Sequence, residues 1–342
     1  MSVPTVPRAT AVILAYGDEQ WLEEAVASVL ASAGVDVDLV LVDNGCTTDA
    51  VAKVKDLDRV RLLTPTGNTG FAGGCNLGAA EADGDYLVFV NSDAVVAPDV
   101  LAKLIAAADE PGVGLASASI RLADAPDTIN SAGNPLHYTG LSWSGGHGRP
   151  ASEFAERRPV LGGSGCCFAI RRDLWNELDG LCEQFFCYFE DTEMSLRLWQ
   201  RGLLPMYVPD AVVRHYYEFS RTPTKLYLLE RNREIVLLTM YQRRTLILVA
   251  PMLLLTEAAM LASAVAGGWT KQKVRGWAWL WQNRAWIKER RALVQSQRTV
   301  PDAALVRHFT ATFDAGNISA PPGVGVFNLV SGLYWRVVRR FV

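Results

Sequence analysis

The run Asp85-Tyr86-Leu87-Val88-Phe89-Val90-Asn91-Ser92-Asp93 is apolar, rich in β-branched and aromatic residues, and breaks off into three polar side chains. Such a run is expected as a buried parallel strand that carries Asp93 to the sheet's carboxyl edge, where open α/β sheets bind ligands. Taken alone, the peptide reads more readily as a plain turn before a helix with Pro98 near its first position. The rest of the chain decides between them.

Upstream, Ala11–Tyr16 forms an apolar strand, and Trp21, Leu22, Ala25, Val26 and Val29 recur at helical spacing after it. A second strand, Val37–Val42, ends in Asp43-Asn44-Gly45; a helix over 49–57 and a third strand, Val60–Leu63, follow. The glycine-rich stretch Gly67–Gly78 is expected as a loop that opens a helix before the Asp85 strand. Four β–α units in succession predict a mostly parallel, Rossmann-like sheet with right-handed crossovers. Residues 121–160 are loop-rich and predict an insertion or flap, in which apolar packing explains His137, Tyr138 and Trp143 as well as sugar stacking does. Gly162-Gly163-Ser164-Gly165 reads as a bend entering a strand, and a short helix over 173–178 follows. Glu190 opens a helix running through Gln200, and the strand Leu204–Val208 precedes the segment Val212–His215.

Charge divides the chain. Residues 1–223 carry 16 Lys+Arg against 30 Asp+Glu, and residues 224–342 carry 17 against 6. A basic tail on an acidic front points to a phosphate-bearing partner. Within the tail, 246–266 is apolar except for Glu257, contains Pro251 and is long enough to cross a bilayer. Arginine and lysine flank it on both sides, so the composition sets no orientation and allows a spanning, re-entrant or in-plane segment. Tryptophans among basic residues at 275–291 and 327–341 predict interfacial helices; the alternative is an ordinary helical subdomain. The basic residues lie beside Trp and Leu and no recognition module is readable, which argues against nucleic acid. Six cysteines without Cys-x-x-Cys spacing, with no signal peptide before them, are expected as reduced thiols in a cytosolic compartment.

Five motifs occur in order: Val42-Asp43-Asn44-Gly45; Asn68 through Asn76; Phe89-Val90-Asn91-Ser92-Asp93; Gly162-Gly163-Ser164-Gly165; and Phe186 through Glu193. Together they resemble the family-2 glycosyltransferases, inverting enzymes of the GT-A fold, and within that family the bacterial cell-envelope rhamnosyl and related transferases. The resemblance implies a GT-A domain over 1–222, followed by a helical, membrane-associated region over 223–342. It also implies a nucleotide-sugar donor, dTDP- or UDP-linked, and a lipid-linked or growing glycan acceptor. The expected location is the cytoplasmic face of the cell membrane, peripheral, monotopic or single-pass, with a homo-oligomer allowed.

Roles follow residue by residue from the same resemblance. Ala15, Tyr16, Asp43, Asn68, Gly70, Gly73, Asn76, Asn91, Ser92 and Asp93 are expected around the donor, and Gly163, Ser164 and Gly165 under the sugar or acceptor. Asn91-Ser92-Asp93 stands where the family writes Asp-x-Asp, leaving Asp93 as the one acidic ligand for Mg²⁺ or Mn²⁺, with His215 as a further metal contact. Asp191, with Glu190 beside it, is the expected proton acceptor, held ionised by the first turn of its helix. Two readings compete. A sugar-phosphate nucleotidyltransferase would want a basic phosphate loop after strand one, where this chain has Tyr16-Gly17-Asp18-Glu19. A catalytically silent GT-A scaffold at the membrane is favoured by the missing first Asp and opposed by Glu190-Asp191.

Overall fold

The computed structural model describes residues 6–216, 222–314, 316 and 323–342. They divide into two compact units. One comprises the described residues through Asn134, Ser144–Ser195 and those from Leu203 to Tyr216; the other comprises Pro135–Trp143, Leu196–Gly202 and the described residues from Thr222 on.

The first unit alternates strands and helices: β1 (Arg8–Gly17), α1 (Leu22–Leu30), β2 (Asp36–Cys46), α2 (Ala50–Val54), β3 (Val60–Leu63), α3 (Gly70–Ala80) and β4 (Tyr86–Asn91). It continues with β5 (Ala94–Val96), α4 (Val100–Ala108), β6 (Val113–Leu122), β7 (Ala125–Ser131), β8 (Arg158–Pro159), β9 (Cys167–Arg171), α5 (Arg172–Glu177), the start of α6 (Glu190–Gln200), whose residues from Leu196 on belong to the second unit, and β10 (Leu204–His215). The sheet runs β3-β2-β1-β4-β9-β6-β10-β5, with β7 on β6 and β8 on β10. Its first four strands are parallel, as the β–α succession predicts. Beyond β4 the sheet is mixed rather than mostly parallel, because β9 runs antiparallel to both β4 and β6. The core beneath is aliphatic, with Ile13, Leu39, Leu41 and Val88 fully buried.

Four expectations are corrected. The glycine-rich stretch after β3 is helix α3 itself from Gly70 onward. Its glycines serve close packing on β1: a Cβ on Gly74 would meet Leu14 at 2.2 Å, and one on Gly78 would meet Val12 at 2.4 Å. A short strand, β5, separates Asp93 from the next helix, which begins at Val100, so Pro98 lies outside it. The strand expected to stop before Pro209 runs on to His215, with a register shift between Val208 and Val212 absorbing the proline. Residues 121–160 include β7, paired with β6, and β8, paired with β10.

The second unit is helical: α7 (Pro223–Met240), α8 (Arg243–Ala266), α9 (Thr270–Gln282), α10 (Arg284–Ser296), α11 (Asp302–Leu305) and α12 (Val324–Val338). Tyr138, fully buried, stacks on Trp335 of α12 at 4.4 Å between ring centroids. His137, also fully buried, meets Ser331 Oγ at 2.9 Å. These two rings are packing groups of the helical unit, and Trp143 meets Phe313 edge-on.

Candidate active site

β4 ends at Asn91, and Ser92-Asp93 turns the chain at the carboxyl edge of the parallel strands. Asp93 is 37% exposed, and its Oδ1 lies 3.0 Å from Nε2 of His215, the last residue of β10. The register explains the meeting, since Ala94 of β5 pairs directly with His215. On the other side of the ring, His215 Nδ1 lies 3.1 Å from Asn130 Oδ1 of β7. With Asn130 accepting from Nδ1–H, Nε2 turns a lone pair toward a carboxylate oxygen. Two acceptors at that separation need a proton or a cation between them, so an oxygen-and-imidazole donor pair of this kind fits a divalent ion. Among the described residues no group of three or more His, Cys, Asp or Glu is gathered as a metal cage. A cation here would therefore complete its coordination with donor oxygens and water.

Asp191 sits in the first turn of α6 and is partly exposed. Its Oδ2 accepts from Gly165 N at 3.0 Å and Asn134 Nδ2 at 3.1 Å, and its Oδ1 accepts from Thr192 N at 2.6 Å and Thr192 Oγ1 at 3.2 Å. Glu190 beside it is buried, and its Oε2 has no hydrogen-bond partner among the described residues. Burial raises the affinity of both carboxyls for protons, and the hydrogen bonds to Asp191 oppose the rise there. Glu190, pushed well above its ordinary value by burial and by Asp191, is the member that keeps its proton. Asp191, with four donors, is the member that ionises. The helix terminus alone does not set its charge, as the sequence reading supposed; burial works against it.

The two carboxylate sites share one sheet edge. Gly165, which donates to Asp191, adjoins Cys166, whose carbonyl accepts from Asn91 N at 2.9 Å, two residues before Asp93. The Gly162–Gly165 bend is fixed by Gly163 N donating to Ser195 Oγ at 3.0 Å and Ser164 N donating to Ser117 Oγ at 2.9 Å. A Cβ on Gly163 would meet Leu115 Cδ1 at 2.7 Å, so a side chain there would require Leu115 to turn aside.

Preceding Glu190, the aromatic run bends sharply. Phe186, Tyr188 and Phe189 have φ of 65°, 69° and 71°, values that side chains other than glycine's rarely adopt. Gly70 makes room for this run: its own φ is +72°, and a Cβ would lie 2.4 Å from the Phe186 carbonyl. That carbonyl accepts from Ala72 N at 3.1 Å, joining the start of α3 to the run.

The residues expected around the donor fall into two groups. Tyr16 is exposed at the end of β1 with its ring 3.7 Å from where a Gly45 Cβ would stand, and Ala15 is buried behind it. Asp43 Oδ1 accepts from the Gly45 and Cys46 amides, holding the turn after the parallel stretch of β2. Asn68 is exposed, and its Oδ1 accepts from Asn44 Nδ2 and the Gly70 amide, whereas Asn76 spends its side-chain amide on Leu181 and Glu183. Gly73 packs against Thr69 within α3. The sequence reading missed Glu19, whose Oε1 accepts from Ser92 Oγ at 2.9 Å and Tyr16 N at 2.7 Å. Burial raises the Glu19 pKa, and the nearby Asp93 adds to the rise, so a second carboxyl lies beside Asp93. It also missed Asn130 and Asn134, which orient His215 and Asp191.

A parallel-strand edge with one carboxylate facing an imidazole and another held by four donors fits a nucleotide-sugar-dependent transferase of the GT-A type. The family model for glycosyl transferase family 2 matches residues 10–179. The N-acetylglucosaminyl-diphospho-decaprenol L-rhamnosyltransferase of Mycobacterium tuberculosis is 28% identical over 234 residues, covering 61% of this chain and 76% of that protein. The succinoglycan biosynthesis protein ExoO of Rhizobium meliloti is 37% identical over 119 residues, 34% of each chain. A mannosyltransferase from Pyrobaculum calidifontis, solved with GDP-Man and Mn²⁺, superposes with a TM-score of 0.54 at 18% identity, covering 86% of both chains. GalNAc-T7, solved with UDP, GalNAc and Mn²⁺, gives a TM-score of 0.55 at 18% identity over 67% of this chain and 49% of that one. The chain belongs to glycosyltransferase family 2 and is a glycosyltransferase.

Proposed function

We propose that the chain moves a sugar, with inversion, from a dTDP- or UDP-sugar to a hydroxyl of a lipid-linked or growing cell-envelope glycan at the cytoplasmic face of the membrane. Asp191 accepts the proton of the acceptor hydroxyl, while Glu190 stays protonated and keeps a second negative charge out of the pocket. Asp93 and His215 would hold Mg²⁺ or Mn²⁺, which supplies positive charge to the departing diphosphate. Ala15, Tyr16 and Asp43 line the nucleotide side, and Gly163, Ser164 and Gly165 form the floor opposite the base. The observation that carries the reading is Asp191, held by four donors on the sheet edge that also bears Asp93. The printed name of the mycobacterial relative supports a polyprenyl-diphosphate acceptor, and the two solved neighbours support a divalent ion.

The test is Asp191→Asn. Transfer should fall by ~10²–10⁴-fold with donor binding intact; full activity in that variant removes the proposed base. Asn91 in place of the family's first acidic residue favours the silent-scaffold reading, under which donor hydrolysis would be absent with and without Mn²⁺.

A further inference from the structure

The helical unit buries charges for which the sugar chemistry has no use. Arg233 of α7, its side chain 2% exposed, pairs with Glu230 at 3.4 Å, with Glu234 at 2.6 Å and with Glu257 of α8. Lys273 of α9, 1% exposed, pairs with Glu230 and Glu257. Glu257 lies near the middle of the 24-residue α8. One side of that helix is packed, with Thr245, Val249, Met252 and Thr256 buried, and the side away from those four is apolar and uncovered, with Ile247, Leu254 and Val265 73%, 72% and 65% exposed. α8 packs on α9 and on α12, where Tyr334 Oη donates to the Leu248 carbonyl at 2.6 Å. α12 repeats the pattern, burying Ser331, Trp335 and Val338 and exposing Val326, Leu329, Leu333 and Val337 at helical spacing. On α9, Trp281 is 72% exposed.

α8 is long and apolar enough to cross a bilayer. A crossing would carry Glu257, and with it Arg233 and Lys273, to the middle of the hydrocarbon, where ionised groups are most costly to place. It would also send one of its basic ends, Arg243-Arg244 or Lys271, to the far leaflet. Lying flat incurs neither cost. The ion cluster stays inside the protein, the apolar sides of α8, α9 and α12 enter the acyl boundary, and both basic ends reach headgroup level. Seventeen Lys+Arg against six Asp+Glu over residues 224–342 make the matching surface anionic, and would set two such units repelling one another.

We infer that α8, α9 and α12 seat the chain in one leaflet of an anionic bilayer, with α8 in the membrane plane and not across it. This deepens the lipid-linked acceptor reading, and its test uses no sugar transfer. Full-length protein is floated with vesicles of phosphatidylcholine alone or mixed with phosphatidylglycerol. Binding to the mixed vesicles should be at least about tenfold stronger and should weaken with salt. Leu254→Asp combined with Leu333→Asp should abolish flotation without lowering the melting temperature, since both positions are exposed. Arg244→Cys and Ala266→Cys, placed at the two ends of α8, are then treated on intact vesicles with an impermeant maleimide and read by peptide mass mapping, which separates them from the native thiols. Modification of both from outside is expected. Protection of one end until the vesicles are lysed would show a crossing helix and overturn the inference. So would absent flotation accompanied by a dimer in light scattering, which would assign the face to a second copy. Protein that floats but transfers nothing would leave this inference standing and refute the proposed function.

Discussion

The amide of Gly165 donates to Asp191 Oδ2 at 3.0 Å, so the bend that leads into β9 holds the carboxylate that α6 presents. A Cβ on Gly165 would stand 3.4 Å from that same oxygen. That is an ordinary contact distance, so Gly165→Ala keeps the donor and leaves the carboxylate in place. Moving a positioned base by about 1 Å lowers the chemical step by up to ~10²-fold, and nothing at this contact forces such a move. The expected result is a kcat within about threefold of the parent's with little change in donor KM, checked by steady-state kinetics; a fall of about tenfold or more would mean that the bend itself shifts the base.

Glu190 gives a pH prediction. Its folded pKa is raised well above the ordinary 4.5 by burial and by Asp191, so between those two values the folded chain binds more protons than the unfolded one. Its contribution to stability is fully present below the unfolded value and is lost as pH rises through the folded one. Glu190→Gln cannot ionise and should lose that part of the decline, melting higher than the parent chain near neutral pH. Melting curves from pH 4 to 8 check this. An unchanged slope would show that Glu190 ionises as it would in water. Asp191, raised from 3.8, places the acid limb of the transfer profile above the ordinary aspartate value, with transfer rising as pH increases through it.

The Asp93–His215 pair separates a metal site from a plain ion pair. With a cation held there, Mn²⁺ should raise the melting temperature of the nucleoside-diphosphate complex, and Asp93→Asn should remove that increment. Asn130→Ala, which removes the side-chain oxygen facing His215 Nδ1, should weaken Mn²⁺ binding by about 10–100-fold, as loss of an outer-shell partner does. Titration calorimetry of Mn²⁺ with UDP reads both effects. Nucleotide stabilisation that ignores chelator would leave a His215–Asp93 hydrogen bond and no metal.

The parallel strands and the two acidic peptides were legible because each is a local pattern: an apolar run ending in polar residues, or an acidic first turn after an aromatic run. The partners of those acids were not. Asn130, Asn134 and Glu19 sit in stretches whose local chemistry reads as loop, and they acquire their roles only when β7, the Gly162 bend and the turn after β1 come together. Pro209 looked like a strand end because a proline normally breaks a ladder, and only the register of β10 on β6 shows where the missing amide is tolerated.

α3 shows most directly how a glycine-rich stretch misleads, and it yields a stability prediction. Glycine is disfavoured in helix interiors, so Gly70 to Gly78 reads as loop. Yet Gly74 and Gly78 let α3 approach β1 so closely that an added Cβ would fall 2.2 Å from Leu14 Cδ1 or 2.4 Å from Val12 Cγ1. The two clashes are not equivalent. Leu14 is partly exposed and meets Gly74 with the far end of a flexible side chain, whereas Val12 is buried, β-branched and stiff at χ1. Gly78→Ala should therefore destabilise the sheet unit by ~1–3 kcal/mol, the usual range for overpacking. Gly74→Ala should cost less, because Leu14 can turn aside and alanine is the better helix former. Denaturant melts of both variants check the order, and Val12→Ala should recover part of the Gly78→Ala loss by vacating the contested space. Equal costs, or no rescue, would mean that backbone flexibility and not the contact with β1 governs the choice of glycine there.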